Sequence, residues 1–101
     1  MKSAFIDLGT NTFNLLVAGK DASGRLKILH EEERAVFLGR GGIEQGVLTP
    51  EAMERGLSVL RVFVDRSREL GSERISGFGT SALRNARNAQ DFTARGKREL
   101  N

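Results

Sequence analysis

The sequence predicts an α/β domain: a three-stranded antiparallel meander, then one long helix, then a strand lying parallel to the first. Three observations carry this. Apolar residues run or alternate through Ala4–Leu8, Thr12–Ala18 and Leu26–His30, with turn residues between them. A stripe at helical spacing, Met53, Leu57, Leu60, Phe63, Val64, Ser67 and Leu70, sits between a Thr-Pro start and a Gly stop. Another short stretch, Glu73–Gly79, follows, and the order strand, long helix, strand implies a right-handed crossover with parallel pairing.

Composition narrows the class. With 101 residues there is enough chain for one small domain or part of a larger one, and a hydrophobic content of 39% leaves room for an unfinished domain. The absence of Cys excludes a disulfide scaffold and any thiolate metal site, and it suits a cytoplasmic protein. Met1-Lys2-Ser3 leads straight into an expected strand of about five apolar-rich residues, so no signal peptide is expected. No run approaches the ~20 apolar residues of a membrane helix, so no membrane partner is expected. The net charge of +3 favours anionic partners. With Phe as the only aromatic type and no basic run interleaved with it, small phosphates rank above nucleic acid, and no specific nucleic acid is expected.

The first strand, Ala4–Leu8, is apolar except for Asp7. A carboxylate there is costly unless it meets a cation, a metal or good donors. Gly9, Thr10, Asn11 and Thr12 follow, and a second strand leaves through Phe13. Successive N–H groups in such a turn form a nest for an oxyanion, Gly9 lets the backbone approach closely, and Thr and Asn add donors. A phosphate is the natural ligand, with Asp7 holding a hydrated divalent cation beside it. The same D-x-G-x-N pattern also makes an ordinary hairpin turn in which Asp and Asn bond their own backbone. It is not a P-loop, because no Lys follows the Gly and a strand comes next.

The second strand, Thr12–Ala18, is apolar on both faces, as inside a sheet. A turn at Lys20–Arg25 leads to the third strand, which carries the only His, His30, expected to be structural or at the surface. Glu31-Glu32-Glu33-Arg34 reads as a solvated strand end, without the further spaced ligands of a metal site. Val36-Phe37-Leu38 is followed by a loop containing Gly39, Gly41, Gly42 and Gly46. Arg40, among these glycines, reads equally as a residue that folds over an anion and as part of a solvated linker. Thr49 is the expected N-cap of the long helix, with Pro50 at its first position and Glu51 near the positive end of its dipole. Gly56 is expected to allow close packing on a sheet, and Gly71 ends the helix.

After the fourth strand, Gly79-Thr80-Ser81 should lie at the same carboxyl edge of the sheet as Gly9-Thr10, where open α/β sheets bind ligands. Thr80–Arg87 reads as a short helix whose N-terminus faces an anion, with Arg84 placed for a bidentate phosphate contact. Asn88 is expected to cap a last helix carrying Phe92.

Three blocks, Ile6–Phe13, Leu48–Leu57 and Gly79–Asn88, together resemble the exopolyphosphatase/guanosine pentaphosphate phosphohydrolase (Ppx/GppA) family in order and spacing, over nearly all of residues 1–101. The resemblance implies a ribonuclease-H-like domain of the actin/heat-shock ATPase/sugar-kinase superfamily. It implies hydrolysis of a phosphoanhydride, releasing orthophosphate from inorganic polyphosphate or from guanosine pentaphosphate (pppGpp), with magnesium as the ion. By this likeness Asp7, Gly9, Thr10, Asn11 and Thr12 match the first phosphate loop. Thr80, Ser81 and Arg84 match the loop and short helix across the cleft.

The family's S-G-x-E-E-A motif, which carries the catalytic Glu, does not occur here, nor does its second phosphate loop, D-x-G-G-G-S. Asn14 stands where relatives often have a basic residue. The expectation is therefore an N-terminal part of a longer phosphohydrolase, inactive alone, with its catalytic base beyond Asn101. An exposed sheet edge is expected to drive a homodimer. The alternatives are a non-catalytic polyphosphate- or nucleotide-binding module and a sugar- or acetate-kinase-like ATP-binding lobe.

Overall fold

The computed structural model of the chain describes residues 1–42, 45–79 and 86–100. Strands β1 (Lys2–Leu8), β2 (Thr12–Lys20) and β3 (Leu26–Ala35) form the meander, helix α1 (Pro50–Glu69) crosses over, and strand β4 (Arg74–Gly79) returns to the sheet. A second helix, α2 (Ala89–Leu100), follows. The order across the sheet is β3-β2-β1-β4. β1 and β2 pair antiparallel, as do β2 and β3, and β4 lies parallel to β1. β1, β3 and β4 therefore all run in one direction, and their carboxyl ends share one edge.

Alternation decides what each strand buries. Ala4, Ile6 and Leu8 of β1 join Phe13, Leu15 and Val17 of β2 on one face, which meets the apolar stripe of α1 and Phe92 of α2. Burying a Phe or Leu fully contributes about 1.5–3 kcal/mol, so Phe13, Phe63 and Phe92, all 0% exposed, anchor this core. The opposite face is not covered by either helix: Phe5 and Phe78 stand exposed there on neighbouring strands. β4 is a half-exposed edge strand, because among the described residues only β1 flanks it.

Turn chemistry closes the connections as the sequence indicates. Between β2 and β3 the Asp21 carboxylate accepts bonds from Ser23 N–H, Ser23 Oγ and Arg25 N–H, which hold its pKa below the usual value, the Ser23 side chain foremost. Thr49 Oγ1 accepts from Ala52 N–H at 3.1 Å and caps α1, with Pro50 in the first turn. At the other end Gly71 takes a left-handed φ of 84°. Ser72 N–H then reaches back to Ser67 O and Gly71 N–H to Arg68 O, a Schellman stop. Gly56 does not pack on the sheet as expected. A Cβ there would lie 2.8 Å from Phe92 Cζ and 3.3 Å from Leu38 Cδ1, so Gly56 is the seat of α2's aromatic ring.

The charge run on β3 is more than a solvated strand end. A bulge places Leu29 out of register between the pairs Val17↔His30 and Ala18↔Ile28. Beyond it His30 and Glu32 share the helix-facing side with Val17 and Leu15. Glu32, with its side chain only 14% exposed, meets His30 Nε2 at 3.0 Å, Arg34 Nη2 at 2.9 Å and Arg66 Nη1 of α1 at 3.0 Å. The His30 bond first, then Arg34 and Arg66, hold its pKa below the usual carboxylate value against the opposing effect of burial. A lowered native value means that Glu32 stabilises the fold above the carboxylate range and that this contribution is lost as pH falls through its native pKa. Glu32→Gln is therefore expected to lower the melting temperature at neutral pH and to flatten its fall between neutral and strongly acid pH. Parallel acid-side melting curves of the two proteins that differ by a constant offset would show that the cluster is not titrating.

Candidate anion-binding site

The site is built where β1 ends. Gly9 N–H donates to Thr12 O at 3.1 Å, which closes a tight turn between β1 and β2. The loop's carbonyls face the segment after β3: Asn11 O accepts from Val36 N–H at 2.8 Å and Phe37 N–H at 2.9 Å, and Thr10 O accepts from Leu38 N–H at 2.8 Å. Arg55 of α1 ties down the far side of that segment. Its Nε and Nη2 donate to Val36 O and Phe37 O at 2.8 and 2.9 Å. The phosphate-loop candidate is thus held by backbone bonds on one side, while the Asn11 side-chain amide carries no hydrogen bond among the described residues.

Asp7 lies one pleat before the end of β1, on the face away from the helices, paired in register with Asn14 on one side and Phe78 on the other. Its Oδ1 is buried and has no hydrogen-bond partner among the described residues. Leaving a buried acceptor unpaired costs about 1–3 kcal/mol and more for a charged group, so such an atom marks a position built for something else. Its chemistry, a hard oxygen donor beside a Gly turn, fits a divalent cation. No group of three or more His, Cys, Asp or Glu among the described residues could hold a metal alone. An ion here would rest on Asp7, on water and on ligand phosphates, a pattern typical of magnesium.

The register sets Leu8 beside Gly79, so the chain leaving β4 starts next to the Gly9 turn, as the topology required. Thr80, Ser81 and Arg84 lie outside the described residues. Where description resumes, Arg87 N–H bonds Gly46 O at 2.7 Å and Arg87 Nη2 bonds Gln45 O at 3.1 Å. Asn88 was expected to cap α2 with its side chain. Instead Oδ1 accepts from Leu48 N–H and Nδ2 donates to Leu48 O, both at 2.8 Å. That two-way clamp fastens the entry of α2 to the entry of α1, and the helix start is left to Asn88 O, which accepts from Asp91 N–H.

Sequence reasoning missed one feature of the rim. Phe37, 40% exposed, has a left-handed φ of 52°, and its ring carries the Arg40 guanidinium 4.5 Å from its centroid. Arg40, left open between a ligand contact and a linker, is therefore a seated side chain. The only sequence signal was an aromatic residue three positions before an Arg within the Gly loop.

No helix among the described residues is long and apolar enough to cross a membrane. A family model, that of the Ppx/GppA phosphatase family, matches residues 16–101. The chain is 37% identical over 94 residues to a guanosine-5'-triphosphate,3'-diphosphate pyrophosphatase of Photobacterium profundum, covering 93% of this chain and 19% of that protein. It superposes on an exopolyphosphatase from Cytophaga hutchinsonii with a TM-score of 0.96 at 40% identity, covering 100% of this chain and 32% of that one. A Ppx/GppA family member from Aquifex aeolicus gives 0.91 at 34% identity, over 99% of this chain and 32% of that one. The chain thus spans a third or less of the length of these relatives. Its mixed sheet, its crossover helix and these superpositions give it the actin-like α/β fold, and it belongs to the Ppx/GppA phosphatase family.

Proposed function

We propose that this chain supplies the first phosphate loop of a phosphoanhydride hydrolase that releases orthophosphate from inorganic polyphosphate or from pppGpp. The single observation that carries the reading is the buried Oδ1 of Asp7 beside the Gly9 turn, which has no hydrogen-bond partner among the described residues. The names of the relatives support the substrate class: one is an exopolyphosphatase and another acts on the guanosine 5'-triphosphate,3'-diphosphate itself.

In this reading Thr10, Asn11 and Thr12 bind a terminal phosphate through backbone N–H and side-chain donors, and Gly9, whose own N–H closes the turn onto Thr12 O, lets the phosphate approach the backbone closely. Thr80, Ser81 and Arg84, which follow β4 in sequence, add donors to it by the family likeness, and Arg84 neutralises charge. Asp7 holds a magnesium ion; when bound, that ion offsets the charge of the phosphate oxygens. Water attack also needs a base within hydrogen-bond reach. A carboxylate committed to a cation is a poor base, and we assign no catalytic base within residues 1–101. The 101-residue chain alone is therefore read as binding without turnover.

Orthophosphate release from polyphosphate and from pppGpp with magnesium tests this, comparing the 101-residue chain with a chain extended to the relatives' length. Release by the longer chain alone is the expected result. Release by the 101-residue chain that Asp7→Ala abolishes would overturn the assignment of the base. Binding without release in either chain would replace the hydrolase with a non-catalytic polyphosphate-binding module.

A further inference from the structure

The loop after β3 leaves the sheet at the same edge as the Gly9 turn, because β1 and β3 run in the same direction. It is also bonded to that turn directly, through Val36, Phe37 and Leu38. Within it, Phe37 holds a backbone conformation that bulky side chains rarely adopt. Such a conformation persists only where the surroundings impose it, and it concentrates at functional positions. Here the imposing bonds are Phe37 N–H to Asn11 O, Arg55 Nη2 to Phe37 O and Arg40 N–H to Phe37 O. The result is an aromatic ring left in solvent, with a guanidinium lying on its face.

A guanidinium stacked through its face keeps its N–H edges free for oxygen acceptors. Neighbouring guanidiniums already have oxygen partners. Arg34 bonds Glu32, Arg55 bonds the carbonyls of Val36 and Phe37, and Arg87 bonds that of Gln45. Arg40 has no oxygen partner among the described residues.

We infer that Arg40, seated on Phe37, is a second cation of the anion site and binds the phosphates of a linear polyanion beyond the one held at Gly9–Thr12. The inference rests on the reading of Gly9–Thr12 as a phosphate loop. It makes Arg40 a determinant of preference for chains of phosphates over a single phosphate, and Phe37 the residue that positions it.

The test compares tripolyphosphate with orthophosphate, both with magnesium, by calorimetry and phosphorus NMR titration on the 101-residue chain. Arg40→Gln is expected to weaken tripolyphosphate roughly five- to tenfold and to leave orthophosphate unchanged. Lys27→Gln, which removes the same charge at the far end of the sheet, is expected to change neither. Phe37→Gly relieves the left-handed backbone while removing the seat. It is expected to weaken tripolyphosphate while the melting temperature holds or rises, which a merely structural role for Phe37 does not allow. Asn11→Ala is expected to weaken both ligands and reports on the loop itself. If Asn11→Ala acts and Arg40→Gln does not, Arg40 is not part of the site and the phosphate loop stands. Equal weakening of both ligands by Arg40→Gln overturns the assignment to the outer phosphates. If neither ligand responds to Asn11→Ala, the phosphate-loop reading falls, and this inference with it.

Discussion

Phe92→Ala is expected to remove about 3–5 kcal/mol of stability, the largest loss from any single side chain on α2. Phe92 is fully buried and is the ring that α2 places against α1 at Gly56. Truncating it leaves a hole that α1 fills poorly, because the facing residue has no side chain to move in. An apolar cleft of about 250 Å³, lined by Phe92 together with Ile6, Leu8, Leu60 and Val64, already adjoins the site, so water gains direct access to the core. For a domain of this length the melting temperature should fall by roughly 15 °C or more.

Gly56 supplies the control. In the native background Gly56→Ala forces a Cβ to within 2.9 Å of two ring atoms of Phe92, and overpacking of that kind costs about 1–3 kcal/mol. In the Phe92→Ala background the clash with the ring is gone, only the 3.3 Å contact with the flexible end of Leu38 remains, and the same change should stabilise by up to about 1 kcal/mol through helix propensity. A change of sign between the two backgrounds, read from urea unfolding midpoints, identifies Gly56 as the seat of the ring. The same sign in both would refute direct contact.

Asp7→Ala is expected to separate stability from function. In the ligand-free chain it removes a buried acceptor that no described residue satisfies, so the fold should lose nothing and gain about 1 kcal/mol. In a chain extended to the relatives' length, orthophosphate release should fall by roughly a hundredfold or more, the scale of losing one group that stabilises developing charge. Thermal melting without ligand and release assays with magnesium check the two halves. A large loss of ligand-free stability would mean that Asp7 is a structural turn residue. Unchanged release would remove it from the site.

The elements that the sequence made legible are those whose signals are local. The meander was readable from alternation and from the Asp21–Gly24 turn. The limits of α1 were readable from Thr49-Pro50 and Gly71, whose bonds are made within a few residues. Asp7 stood out because one charge in an apolar strand has few uses. What stayed hidden depends on partners distant in sequence. Gly56 needed Phe92, the Asn88 side chain needed Leu48, and Glu32 needed Arg66 across the helix to become more than a solvated charge. Phe37 was read only for its apolarity, since nothing local announces a left-handed Phe; Asn11 O and Arg55 impose it from outside the segment. The edge position of β4 escaped for a similar reason, because a strand's own residues do not report how many neighbours it has.

The parallel pairing of β1 with β4 has a consequence for the order in which the edge can assemble. Ser3 meets Arg74 and Leu8 meets Gly79, whereas β1, β2 and β3 meet through short turns. Closing a loop costs entropy that grows with its length, and contacts far apart in sequence repay that cost late. The Gly9 turn and the Phe37 segment belong to the inexpensive closures within the meander. The β4 side of the edge belongs to the longest closure in the sheet, one whose loop contains α1. The two sides of this sheet edge are therefore unequal in contact order: one is local to the first forty residues or so, and the other waits for the rest of the chain to come home.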